Sequence, residues 1–192
     1  DQGGEKSATR RSAAVAVRSG SSWRAGKAEV KTLCEAHALQ ISLTAPSTAL
    51  NRIRLRWTLK PNAALLYLGD AWERSYGDLA WRTLVPERVM PWYFATHDGI
   101  ATSAYGVMTA PAAFCFWQVD REGVSLWLDV SNGGMGVLLG QRELYVATVI
   151  ARPGHGGELP SHALADFCQQ KCPHPRPPAP PVYGTHDSHL AY

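Results

Sequence analysis

The chain has 192 residues, 45% of them hydrophobic and 18% charged, which is ordinary globular composition with enough apolar material for one core. Its net charge is only +3, and six basic against three acidic residues in positions 1–30 account for the whole surplus, so the rest is neutral. A neutral body with a basic tail lacks the phosphate-neutralising surface that nucleic acid requires, and no stretch approaches the roughly 20 apolar residues of a membrane span.

Residues 1–28 are rich in Ser, Ala, Gly and Arg without sustained apolar periodicity, which predicts a flexible basic arm over residues 1–39. Ala13–Val17 is too short for the apolar region of a signal peptide, so the expected location is cytoplasmic. From Arg52 to Leu59 polar and apolar residues alternate without a break, the period of a strand with one wet and one buried face. After the Pro61-Asn62 turn, further strands are expected at Ala64–Leu68, Leu79–Leu84, Trp92–Thr96, Ala101–Met108, Ala113–Val119, Val124–Val130 and Glu143–Ala151. Turn residues separate them at Asp98-Gly99, Arg121-Glu122-Gly123 and Ser131-Asn132-Gly133-Gly134. One helix is expected at 160–172, started by Pro160-Ser161 and striped by Leu164, Phe167, Cys168 and Cys172. Residues 173–192 begin with a proline-rich spacer that favours extended polyproline conformation.

Many short strands at turn-sized intervals, with no helices between them, predict an all-β fold. The expected architecture is an antiparallel two-sheet β-sandwich over residues 40–159, with one short C-terminal helix and flexible tails. Cys34, Cys115, Cys168 and Cys172 do not form paired Cys-x-x-Cys units, so packed or free thiols are expected rather than a zinc site. No metal or other cofactor is expected.

Four strings, in order, carry a resemblance: Gly69–Trp81 (GDAWERSYGDLAW), Phe114–Asp120 (FCFWQVD), Leu126–Gly134 (LWLDVSNGG) and Pro181–Gly184 (PVYG). Together they resemble the N-terminal domain of bacterial α-galactosidase-like glycoside hydrolases of the melibiase clan. The resemblance implies a β-sandwich that supports a (β/α)8 barrel and lends a loop to its sugar pocket. It also implies that the chain stops where the barrel would start, so the barrel's nucleophile and acid have no counterparts here. The expected partner is a galactose-containing saccharide. Relatives of this kind associate through large interfaces, so a homodimer or higher oligomer is expected.

The densest polar and aromatic cluster is Asp70, Trp72, Glu73, Arg74, Tyr76 and Asp78. Glycoside hydrolysis uses two carboxyl groups, about 5–5.5 Å apart for retention or about 6.5–9.5 Å for inversion. Glu73 is the candidate acid, with Asp70 or Asp78 as nucleophile or base, and Trp72, Arg74 and Tyr76 as substrate contacts. His97 and Asp98 fall at a strand end, where binding residues collect, and Asp98-Gly99 is equally a plain turn. Trp81, Trp92, Tyr93, Trp117 and Trp127 lie within strand patterns as core residues, unless some form an outward row that would serve as a sugar platform. Asp120 and Asp129 flank Gly123 without the spacing of a calcium loop. Two functions remain open: a minimal glycosidase acting on galactosides through a carboxylate pair, or a non-catalytic sugar-binding or oligomerisation module.

Overall fold

The structure is a computed structural model that describes residues 15–62, 64–73, 75, 77–131 and 136–175. Its strands are β1 (Val17–Ser19), β2 (Ser22–Ala25), β3 (Ala28–Glu35), β4 (Ala38–Thr44), β5 (Arg52–Thr58), β6 (Leu66–Gly69) and β7 (Met90–Pro91). They continue as β8 (Tyr93–His97), β9 (Thr102–Val107), β10 (Phe114–Asp120), β11 (Gly123–Asp129) and β12 (Glu143–Arg152), followed by helix α1 (Pro160–Lys171). The strands form two antiparallel sheets, a large one in the order β1-β2-β3-β4-β12-β9-β8-β6 and a small one in the order β5-β11-β10-β7. The all-β two-sheet sandwich with one short helix is therefore present. Among the described residues no helix is long and apolar enough to cross a membrane.

Two expectations differ from what is observed. Residues 17–35 are strands rather than an arm: hairpin turns at Gly20 and Gly26 pair Trp23 with Val30, and β3 adds to β4 through pairs such as Thr32 with Ile41. β1 and β2 have only three and four residues, too few to show alternation, and in β3 the neighbours Leu33 and Cys34 are both exposed, which breaks it. Residues 79–84 are not a strand, and only Arg82 bridges to Tyr67. The segment is held instead by the Arg88 guanidinium, which donates to the carbonyls of Tyr67 at 2.9 Å, Asp78 at 2.7 Å and Ala80 at 3.1 Å. The tails expected to be flexible fall mostly on residues 1–14 and 176–192, outside the described residues.

Alternation assigns each face. Cys115, Trp117 and Val119 of β10 and Leu126 and Leu128 of β11 point inward against Ile41, Leu43, Phe94, Val107 and Val146 of the large sheet. Trp117 centres this core, with its ring 5.9 Å from Trp57 and 5.3 Å from Phe94. In β12 the register shifts between Tyr145 and Ala147, leaving Val146 as an extra residue. Such a bulge reverses the faces beyond it. Leu144 and Val146 thus face the core before the shift and Ala147 and Val149 after it, while Ile150 turns to the opposite face.

That opposite face of the large sheet carries α1. Phe167 is fully buried against Ala95 and Ala104, with Tyr93 and Ile150 around it. Gly106 makes this approach feasible, because a Cβ there would lie 2.7 Å from Tyr93 Cβ and 2.9 Å from Phe167 Cζ. Leu159 supplies no side-chain cap to the helix, although Pro160 suits the first helical position. Arg152 fastens the helix instead, donating to Asp166 at 2.6 Å and to Glu158 at 2.5 Å. Its side chain is only 8% exposed, while Glu158 is 22% and Asp166 49% exposed, so the bond to Glu158 is the more sheltered of the two.

Candidate functional site

The acidic cluster around residue 73 is dispersed by its local bonding. Asp70 is buried, and its Oδ1 accepts the Ala71 backbone N–H at 2.9 Å. Glu73 accepts from the Ser75 hydroxyl at 2.6 Å and from the Ser75 N–H at 3.4 Å, which together hold its carboxyl below the ordinary value. Asp78 is held low by Arg82, which donates to it at 3.1 Å, and by the Ala80 N–H. Arg74 and Tyr76 lie outside the described residues. A general acid needs a raised pKa so that it keeps its proton near neutrality. Among the described residues every carboxyl with a displaced pKa is displaced downward. The pattern is that of anions fixed by donors.

His97 and Asp98 stand on another face. His97 follows Tyr93 and Ala95 on the helix-covered side of the large sheet, with its ring 5.8 Å from Trp81. Its Nδ1 donates to the Ala101 carbonyl at 3.0 Å and lies 2.9 Å from Thr102 Oγ1. Asp98 accepts the N–H groups of Ala101 and Ile100 at 2.7 and 2.8 Å, which lower its pKa and close the turn. Structure is therefore their evident work. Asp120 and Asp129 are tied to arginines, Arg56 at 2.6 Å and Arg52 at 2.7 Å. Among the described residues no three His, Cys, Asp or Glu side chains gather where they could hold a metal ion.

The outward face of the small sheet has a different character. The residues that alternate with the core set are Phe114, Phe116, Gln118 and Asp120 on β10 and Ser125, Trp127 and Asp129 on β11. Arg52, Arg54 and Arg56 on β5 belong to the same face. Phe116 and Trp127 are directly opposed, with ring centres 6.0 Å apart and planes within 15°. Arg52 lies 5.7 Å and 5.9 Å from the same two ring centres. Trp127 Nε1 donates to Gln118 at 2.9 Å, which fixes the indole.

At the β7 end of this face a second aromatic group stands out. Trp72 is 52% exposed and Phe114 44%, and Trp72 meets Trp92 edge-on at 5.4 Å and Phe114 at 6.0 Å. Trp92 is the single residue between β7 of the small sheet and β8 of the large one, and it takes φ 63°, a left-handed conformation that a bulky side chain avoids. Bonds on both sides enforce it: Trp92 N–H donates to Cys115 at 3.1 Å, while its carbonyl accepts from Val107 at 2.9 Å and Trp117 Nε1 at 3.3 Å. The strained crossing brings the Trp92 ring against both Trp72 and Phe114, which also touch each other.

Beside these rings opens a cleft of about 280 Å³, walled by Trp92, Ala113, Phe114 and Val130 with Asp129 as its acid. That volume sits just under the small end of ligand pockets, roughly 300–1,000 Å³, and suits a single small ring. Burial works against the Asp129 charge, but hydrogen bonds from Arg52 and Ser131 hold its carboxyl below the usual range. It is therefore ionised at neutral pH, with Oδ2 bonded by Arg52 and Oδ1 by Ser131.

Of the residues expected from sequence, Trp72 and Trp92 join this aromatic cluster, Trp92 being expected in the core or in an outward row. The sequence places Trp127 in the core or in an outward row and raises Asp129 only as a calcium ligand; Phe114, Phe116 and the β5 arginines are not singled out, because the run Phe114-Cys115-Phe116-Trp117 is apolar on both faces and gives no sign of which is wet. The usable signal lay in β5, whose wet face carries Arg52, Arg54 and Arg56 in succession and whose pairing with β11 sets Arg54 opposite Trp127. Comparison with protein-family models, with curated proteins and with solved structures gives no match to this chain, so its likeness to galactosidase-type domains rests on the four sequence strings alone.

Proposed function

We propose that this β-sandwich is a non-catalytic carbohydrate-binding module that takes a galactose-containing saccharide at the Trp72–Trp92–Phe114 cluster. The supporting observation is a pair of exposed rings, Trp72 and Phe114, packed on a Trp92 fixed by a strained backbone, beside a cleft about the size of one sugar ring. A pyranose presents an apolar C–H face and a rim of hydroxyls. Rings such as Phe114 and Trp72 cover the first. Binding is favoured over hydrolysis because Glu73 and Asp78 are both held as anions, which leaves the expected acid without its proton.

Calorimetric titration with galactose, lactose and melibiose tests this. Binding is expected in the unmodified protein and should weaken about fivefold to tenfold in Trp72→Ala, as loss of one stacking contact implies. No heat and no change in tryptophan fluorescence at millimolar sugar would remove the sugar module. Turnover of nitrophenyl α- or β-galactosides that is lost in Glu73→Gln and Asp78→Asn would overturn the non-catalytic assignment.

A further inference from the structure

We propose that the saccharide bound on this face is an acidic one, whose carboxylate or sulfate group pairs with Arg54. The inference rests on the sugar-binding function above and specifies its ligand. Its basis is the unequal pairing of three arginines that alternate along β5. Arg52 is neutralised by Asp129 at 2.7 Å, and Arg56 by two bonds to Asp120 at 2.6 and 2.9 Å. Arg54, between them and exposed, has no carboxylate partner among the described residues.

Arg54 is nevertheless held in place. Its Nε and Nη2 donate to Ser125 Oγ at 3.1 and 3.0 Å, and its guanidinium lies 5.0 Å from the Trp127 ring centre. Ser125 is buried and also accepts from Arg56 at 2.9 Å, so one hydroxyl serves two guanidinium groups. A neutral oxygen shared this way leaves the Arg54 charge uncompensated while using up only part of its donor fork. Ordering a flexible cation before a ligand arrives reduces the ordering needed at binding, and planar guanidinium donors match a carboxylate or sulfate.

Position completes the case. Trp127 is two residues from Asp129 on the same face of β11, and Arg54 is its cross-strand partner on β5. Arg54 therefore lies about 7 Å along the strand direction from the Arg52–Asp129 pair that edges the cleft. A ligand longer than one ring that starts in the cleft and runs over Trp127 delivers its next acidic substituent to this cation.

Titration of the intact chain with trigalacturonic acid, neutral galactotriose and inorganic sulfate tests the assignment. Trigalacturonic acid is expected to bind at least tenfold more tightly than galactotriose, with sulfate alone weaker than both. Arg54→Gln should reduce that ratio to about one, and Arg54→Lys should give an intermediate ratio because it keeps charge but loses the fork. If Arg54→Gln unfolds, the unmodified protein still decides the matter. Raising ionic strength to about 1 M, where the screening length is roughly 3 Å, should abolish the preference. Equal binding of the two trisaccharides overturns the acidic assignment and leaves the sugar module standing. Absence of binding to either removes both. Tighter binding of a single-stranded oligonucleotide than of trigalacturonic acid overturns the choice of ligand class, and sulfate as tight as trigalacturonic acid marks a bare anion site.

Discussion

Gly106 offers the most direct test of how the helix is seated. An alanine Cβ at this position would lie 2.7 Å from Tyr93 Cβ, 2.9 Å from Phe167 Cζ and 3.0 Å from the Trp92 carbonyl oxygen. Cross-strand Cβ atoms ordinarily stand about 4.5–5.5 Å apart, so β8 and β9 must separate or the helix must lift. Overpacking of this kind costs about 1–3 kcal/mol, offset by about 0.4–1 kcal/mol from the smaller unfolded-state freedom of alanine. A net loss of about 1–2 kcal/mol lowers Tm by roughly 2–8 °C for a chain of this size. Calorimetric melting of Gly106→Ala measures it. Phe167→Leu removes the Cζ atom, so the double variant should be at least about 0.5 kcal/mol more stable than the summed single changes imply. A Tm for Gly106→Ala within about 1 °C of the parent, or strict additivity in the cycle, refutes the steric account.

Arg152→Met should destabilise the protein by about 2 kcal/mol, because Glu158 and Asp166 lose the cation between them, an effect softened by the exposure of the Asp166 carboxylate. Faster proteolysis between β12 and α1 would accompany it, whereas an unchanged melt would deny the clasp. Folded pKa values of Asp120 and Asp129 lie below their unfolded values, so their contribution is present above about pH 4 and drains away as pH falls through the folded values. Melting followed from pH 6 downward should therefore show a steep loss below about pH 4, and Asp129→Asn should flatten it; equal slopes would contradict the pairing with Arg52. Burial pushes the Cys115 thiol up to about 12, while Cys34 and Cys168 are exposed. Ellman's reagent should label Cys34 and Cys168 in the native protein and Cys115 only on unfolding. Native labelling of Cys115 at the rate of Cys34 would show that the core is open there.

Local signals made much of this fold legible. The alternation of Arg52–Thr58, the turn at Arg121–Gly123 and the proline start of α1 each depend on neighbours in sequence, and each appears within a residue or two of its expected place. What escaped depends on partners distant in sequence. β2 and β3 are recognisable as strands only once they pair with each other and with β4. The 79–84 segment has strand composition, but Arg88 and the Arg82–Tyr67 bridge decide its path. The same holds at the aromatic face. Glu73 and Asp78 look catalytic as a cluster, yet each is captured by a serine or arginine within four residues. Phe116 and Trp127 become neighbours through a register of strands that composition does not encode, and the left-handed turn at Trp92 has no glycine or asparagine to announce it.

The extra residue in β12 constrains how this strand can vary in length. Between Glu143 and Arg152 the strand serves two clients, the sandwich interior through Leu144 and Val146 and the helix through Ile150 and Arg152, and Val146 sets the phase between them. Adding a single residue beyond Ala147 would turn Ile150 and Arg152 toward the interior, whereas a single deletion at Val146 removes the bulge and leaves both on the helix side. Changes of two residues would keep the phase. Viable insertions beyond Ala147 should therefore come in even steps, while the position of Val146 alone can lose one residue with both layers kept in phase.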